Sequence, residues 1–96
     1  MEREHYTYTV DFSGLKDWRK IYPLIKKSMD FPDYFGENLS ALWDCLTDYT
    51  CSQNIITIKG VKSLSKSLQQ YIEEILAIFE RAQTRYPEYF EIRYED

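Results

Sequence analysis

Three short segments, and the distances between them, constrain this 96-residue chain more than anything else in it. Residues Tyr6 to Phe12, YTYTVDF, place Tyr6, Tyr8, Val10 and Phe12 on one face and Thr7, Thr9 and Asp11 on the other. That period of two, in β-branched and aromatic residues, predicts a strand. Asn54 to Lys59, NIITIK, is a short apolar β-branched run of the kind expected for a strand buried on both faces. Near the end, Phe90, Ile92 and Tyr94 alternate against Glu91 and Arg93. Hairpins join antiparallel strands in a few residues, whereas parallel strands need a crossover of at least about a dozen. Connections of roughly 30 to 40 residues therefore predict parallel strands with right-handed crossovers.

Both connections read as helical. Asp17 is placed to cap a helix running to about Met29, with Trp18, Ile21, Leu24, Ile25 and Met29 at helical spacing. Pro23 either kinks that helix or marks its first turn, because an interior proline loses a backbone bond. Pro32 and Gly36 make Phe31 to Gly36 a loop, and Asn38 then caps a second helix to about Thr47. After Gly60, Val61 to Lys66 reads as a short helical turn. Ser67 and Gln70 form a capping-box pattern opening a long helix whose core face carries Ile72, Ile75, Leu76, Phe79 and Ala82. Pro87 stops it. The expectation is one α/β domain over residues 1–96, a three-stranded parallel sheet packed, mainly on one face, with about four helices.

Composition narrows the function. Hydrophobic residues at 44% and charged residues at 29% belong to a globular chain rather than a disordered one. A net charge of −4 without any basic stripe argues against direct nucleic-acid binding. No apolar run approaches a membrane span, and Met1 to His5 lack the basic-then-apolar order of a signal peptide. A cytoplasmic protein, monomeric when free, is expected. Cys45 and Cys51 match no redox or zinc spacing and are expected as reduced thiols. The single histidine, His5, falls in an N-terminal tail expected to fray. Gly14, Gly36 and Gly60 are isolated, so there is no phosphate-cradling loop. Asp33 and Glu37 lack the ligand density of a cation site. No catalytic residue, metal or cofactor is expected, and the chain does not read as an enzyme.

One stretch resists an indifferent reading. DFPDYFGENLSALWDCLTDY, Asp30 to Tyr49, holds five carboxylates, and no Lys, Arg or His occurs from Ser28 through Ile58. Wound as a helix from Asn38, the segment gathers Leu39, Leu42, Trp43 and Leu46 on a core side. Ser40, Asp44 and Thr47 line an adjacent exposed side with Trp43 at the border. Tyr34, Gly36 and Asn38 lie at its start and Tyr49 at its end. Two readings stay open on these residues alone. The helix is an ordinary amphipathic one, with Gly36 supplying a positive φ and Asn38 a cap. Or it is an acid-centred ridge fitting a basic concavity on a partner.

At these residues the sequence resembles the barstar family of intracellular ribonuclease inhibitors. FPDYFGENLSALWDCLTDY is similar to that family's signature, an aromatic-Gly-x-Asn-Leu loop entering Ala-Leu-Trp-Asp. The resemblance implies the barstar fold and a protein partner, a bacterial ribonuclease of the guanyl-preferring type or a toxin nuclease. It implies no direct contact with nucleic acid or membrane. It further implies that an inhibitor carboxylate takes the place of the scissile phosphate in the nuclease. Asp44 matches that central aspartate, and Tyr34, Gly36, Asn38, Trp43 and Thr47 match flanking contacts. Ser40 stands where the family commonly has aspartate, Tyr49 where a tryptophan can stand, and Arg81 where an acidic contact aligns. The other class left open is a barstar-fold interaction or immunity module acting on a different toxin or partner.

Overall fold

A computed structural model describes residues 5–95; residues 1–4, placed above in the tail, and residue 96 lie outside them. Strands β1 (His5–Asp11), β2 (Gln53–Lys59) and β3 (Phe90–Glu95) form one parallel sheet in the order β1-β2-β3. His5 is not in a frayed tail but opens β1, opposite Gln53. The register stacks Tyr6–Asn54–Phe90, Tyr8–Ile56–Ile92 and Val10–Ile58–Tyr94 on one face. Val10, Asn54, Ile56, Ile58 and Phe90 in those rows are buried. The opposite rows, Thr7–Ile55–Glu91 and Thr9–Thr57–Arg93, are exposed or half-buried.

NIITIK is therefore covered on one face, not two. The reason is topological. The sheet grows in one direction from β1 through β2 to β3, and successive right-handed crossovers then lay their helices on the same side. In the first crossover, a single 3-10 turn at Trp18–Lys20, capped by the Asp17 carboxylate, leads into α1 (Ile21–Met29). Pro23 occupies the first turn of α1, where a missing N–H breaks no bond. The same crossover continues through α2 (Leu39–Thr47). The second holds a 3-10 turn at Val61–Ser63 and α3 (Lys66–Arg85). The cap of α3 is Ser65, whose hydroxyl accepts from Leu68 N–H at 3.3 Å, so the helix starts ahead of the capping box read at Ser67. The described residues thus carry three α-helices and two 3-10 turns in place of about four helices.

Phe12, Ile21, Ile25, Leu42, Leu46, Ile72, Ile75 and Phe79 fill the space between sheet and helices. One polar side chain intrudes. Asn54, 1% exposed, aims its amide at the carbonyls of Tyr49 (2.9 Å), Ser52 (3.1 Å) and Tyr89 (3.1 Å). Its backbone N–H also donates to Tyr89 O at 2.8 Å. One buried amide thereby fastens the end of the first crossover, the start of β2 and the entry to β3. Removing it leaves the Ser52 carbonyl without a donor and Tyr49 O with only the 3.4 Å bonds from Ser52, while Tyr89 O keeps the Asn54 backbone N–H. Asn54→Leu should cost about 2–4 kcal/mol by urea denaturation; a loss under about 1 kcal/mol would mean those carbonyls find other donors.

Gly60 and Gly14 both adopt positive φ, +75° and +76°, but differ in surroundings. A Cβ on Gly60 would lie 2.5 Å from the backbone nitrogen of Ser13 and 2.8 Å from its Cα, whereas one on Gly14 meets nothing within 4 Å. Gly14→Ala should therefore cost only the left-handed penalty, about 1 kcal/mol, and Gly60→Ala at least about twice that. Equal losses in the same denaturation assay would show that the β1 and β2 exits separate freely.

Candidate functional site

The loop between α1 and α2 is pinned from inside by aromatic rings. Phe31 and Phe35 are buried with centroids 5.1 Å apart, and Tyr22 meets Phe35 at 6.0 Å. Phe35 N–H closes a turn onto Pro32 O at 3.0 Å. With those rings turned inward, Tyr34 is thrown outward and is 78% exposed. Asn38 caps α2 as its sequence predicts, its Oδ1 accepting from Ala41 N–H at 2.8 Å while its Nδ2 donates to Gly36 O. Gly36 itself does not have the positive φ considered for it. A Cβ there would touch Ala41 Cβ at 3.5 Å and Asn38 Nδ2 at 3.6 Å, both ordinary contacts. Neither backbone nor internal space requires glycine at 36. Among the described residues, the non-glycine positions with positive φ are Asp30 (55°) and Glu37 (24°), one at each end of this loop.

Along α2, Ser40 and Asp44 are exposed, and Trp43 and Thr47 are half-buried. The Thr47 hydroxyl turns back onto its own helix, donating to Trp43 O at 2.8 Å. Leu39, Ser40, Trp43 and Asp44 form one wall of a shallow groove, and Ile78 and Arg81 of α3 form the other. The Arg81 guanidinium carbon stands 4.9 Å from the centroid of the Trp43 ring, and Tyr86 lies 6.5 Å from the same ring. The Asp44 carboxylate has no hydrogen-bond or ion-pair partner among the described residues. At the far end, the Tyr49 ring lies 5.8 Å from Tyr8 and 5.9 Å from Phe31, and its hydroxyl donates to Met29 O at 2.6 Å. Burial, with Tyr8, Asp30, Cys45 and Asp48 nearby, pushes that hydroxyl up to about 12. Tyr49 thus ties the exit of α2 to the end of α1.

The sequence stretch is free of cations, but the surface around it is not. Lys26 of α1 reaches Asp33 at 3.3 Å, an exposed pair of little energetic weight, and α3 brings Arg81 alongside Asp44. The first pair is local to the exit of α1, whereas Arg81 arrives only through long-range packing, which no local pattern announces. Cys45 is buried on the inner side of α2, its thiol pushed up by desolvation and by the Asp48 and Asp44 carboxylates; Cys51 is exposed, and both are free. Among the described residues no three Asp, Glu, His or Cys side chains could hold a metal ion. None of their helices is long and apolar enough to cross a membrane.

A one-sided helical cover on a three-stranded parallel sheet, with a capped and aromatic-pinned helix presenting a bare aspartate, defines the class. The family model described as Barstar (barnase inhibitor) matches residues 5–95, and the chain belongs to that family. A Bacillus subtilis (strain 168) protein named "Putative ribonuclease inhibitor YrdF" is 35% identical over 83 residues, 86% of this chain and 91% of that protein.

Tyr49 offers a direct check on how the face is held. Tyr49→Phe should lower stability at neutral pH by about 1 kcal/mol through the lost hydrogen bond. A hydroxyl raised in the folded state contributes stability that is complete below the ordinary tyrosine value near 10 and is lost as pH rises through about 12. The gap between wild type and Tyr49→Phe should therefore close over that interval in pH-resolved denaturation. A constant gap would mean the hydroxyl is not held as described.

Proposed function

We propose that this chain inhibits a bacterial ribonuclease by seating the face of α2 and its preceding loop in the nuclease active site, with Asp44 in the place of the scissile phosphate. The observation that carries the reading is the state of Asp44. Its carboxylate is exposed, central on the face and without an internal partner, beside the half-buried ring of Trp43. A nuclease must gather cationic and hydrogen-bond-donating groups to hold a phosphate, and an unpaired carboxylate on a rigid helix satisfies those groups without being cleaved. Membership of a family described as barnase inhibitors, and a relative named as a ribonuclease inhibitor, support the same partner class. The chain then acts by occlusion and needs no catalytic residue.

The loop supports the reading independently. Gly36 is glycine without an internal reason, which fits a partner surface that must approach its backbone closely. Positive φ at Glu37 stores modest backbone strain where the loop meets α2, a feature that clusters at binding sites, whereas at Asp30 it is the ordinary left-handed close of α1. Tyr34, Gly36, Asn38, Ser40, Trp43, Thr47 and Tyr49 are accordingly assigned to the binding face around Asp44. Tyr34 is assigned direct contact, and Asn38, Thr47 and Tyr49 mainly hold the face in shape. A net charge of −4 would also steer the chain toward a cationic cleft.

Barnase, the nuclease named in the family description, is the first probe. Asp44→Ala should weaken inhibition by at least about 3 kcal/mol while leaving the thermal midpoint nearly unchanged. That size is taken from close charge pairs in the barnase–barstar complex itself. Truncation removes the attraction and also leaves the enzyme's cations unpaired. Asp48, exposed at the C-terminal end of α2, should cost far less when replaced by Ala. Association should slow as salt rises, because exposed charges are screened beyond about 10 Å at 0.1 M. Equal losses at 44 and 48, or none at 44, would place the interface elsewhere.

A further inference from the structure

We infer that Arg81 is a specificity-determining residue, one that selects a nuclease carrying a carboxylate beside the cationic group that receives Asp44. The inference rests on the reading of the α2 face as the nuclease-blocking surface and adds the partner's charge pattern to it. Arg81 and Asp44 line the same groove from opposite walls. Neither neutralises the other, since no ion pair joins them, and neither side chain has a hydrogen-bond partner among the described residues. The groove therefore presents two charges of opposite sign that no ion pair joins. Its partner must be dipolar to match.

The contact with Trp43 positions the guanidinium without neutralising it. An aromatic face attracts a cation through its quadrupole but offers no lone pairs to the N–H fork. With the Arg81 carbon held 4.9 Å from the ring centroid, the donors at the edge of the guanidinium plane stay available for a bidentate carboxylate. Ser40, the other polar residue on the α2 wall beside Asp44, carries no charge that could cancel it and no bulk that would fill the groove. A nuclease with a cation across from Arg81 would have to desolvate two like charges together, which opposes binding, whereas a carboxylate there gains a charge-assisted pair. The same acidic-looking face thus admits one subset of nucleases and rejects another.

Charge coupling against barnase tests this. Inhibition is measured for wild type, Arg81→Glu, Arg81→Gln and Asp44→Ala against barnase variants bearing a single Glu or a single Lys at each rim position around the active site. At one rim position wild type should bind the Glu variant at least about 10-fold tighter than the Lys variant. Arg81→Glu should invert that preference, and Arg81→Gln should nearly abolish it. Asp44→Ala should weaken binding to Glu and Lys variants alike. If Asp44→Ala loses affinity while residue 81 leaves every rim preference unchanged within about 2-fold, Arg81 merely covers Trp43 and the proposal is wrong. If Asp44→Ala binds as wild type does, or no chain inhibits any barnase variant, the reading of the face fails and takes this inference with it.

Discussion

The buried carboxamide of Asn54 is the interaction on which the rest of the arrangement depends. A parallel sheet requires each chain crossing to end at a defined height above the next strand, and apolar contacts alone fix that height loosely. Asn54 fixes it by direction, bonding the carbonyls of Tyr49, Ser52 and Tyr89 from within the core. Tyr49, so held, bonds Met29 at the end of α1. The path from sheet to Asn54 to Tyr49 to Met29 closes a loop around the α2 segment, and Phe31 and Phe35 close its other end. A face supported in this way is ordered in the free chain, and a partner docking on it would cost less ordering entropy.

Charge on that face is a product of tertiary structure as much as of sequence. Taken alone, Ser28 through Ile58 would make a purely negative ridge. Folding sets Lys26 against Asp33 at the loop and Arg81 beside Asp44 on the helix. The first pair leaves the centre of the face untouched. The second turns a point of negative charge into a pair of separated opposite charges, the kind of feature that discriminates among partners of similar shape.

Much of this is legible in the chain. The alternation of YTYTVDF, the crossover lengths, the Asn38 cap and the outward set of Ser40 and Asp44 all follow from local periodicity. Local sequence misleads where distant segments decide. NIITIK puts Ile55 on one face and Ile56 and Ile58 on the other, so its isoleucines do not reveal that one face stays open; the direction of sheet growth decides that. Ser65 and Ser67 are both competent caps, and the helix takes Ser65, with Leu68 buried in its first turn. Asn54 reads as the edge of a strand because its partners are carbonyls up to 35 residues away. Arg81 is visible as a residue but not as a neighbour of Asp44, for the same reason. Gly36 invites explanation by a φ angle that it does not adopt, and the space around it would accept a Cβ in ordinary contact.

The central claim is that the loop and outer face of α2 enter a nuclease active site, and amide mapping tests it most directly. An isotope-labelled sample of this chain would be titrated with catalytically disabled barnase and its backbone amide shifts followed by NMR. The account predicts the largest changes from Tyr34 through Thr47, with Arg81 across the groove joining them and the open sheet face at Thr7, Thr57 and Arg93 unmoved. Changes centred on that open sheet face, with the α2 amides silent, would contradict it.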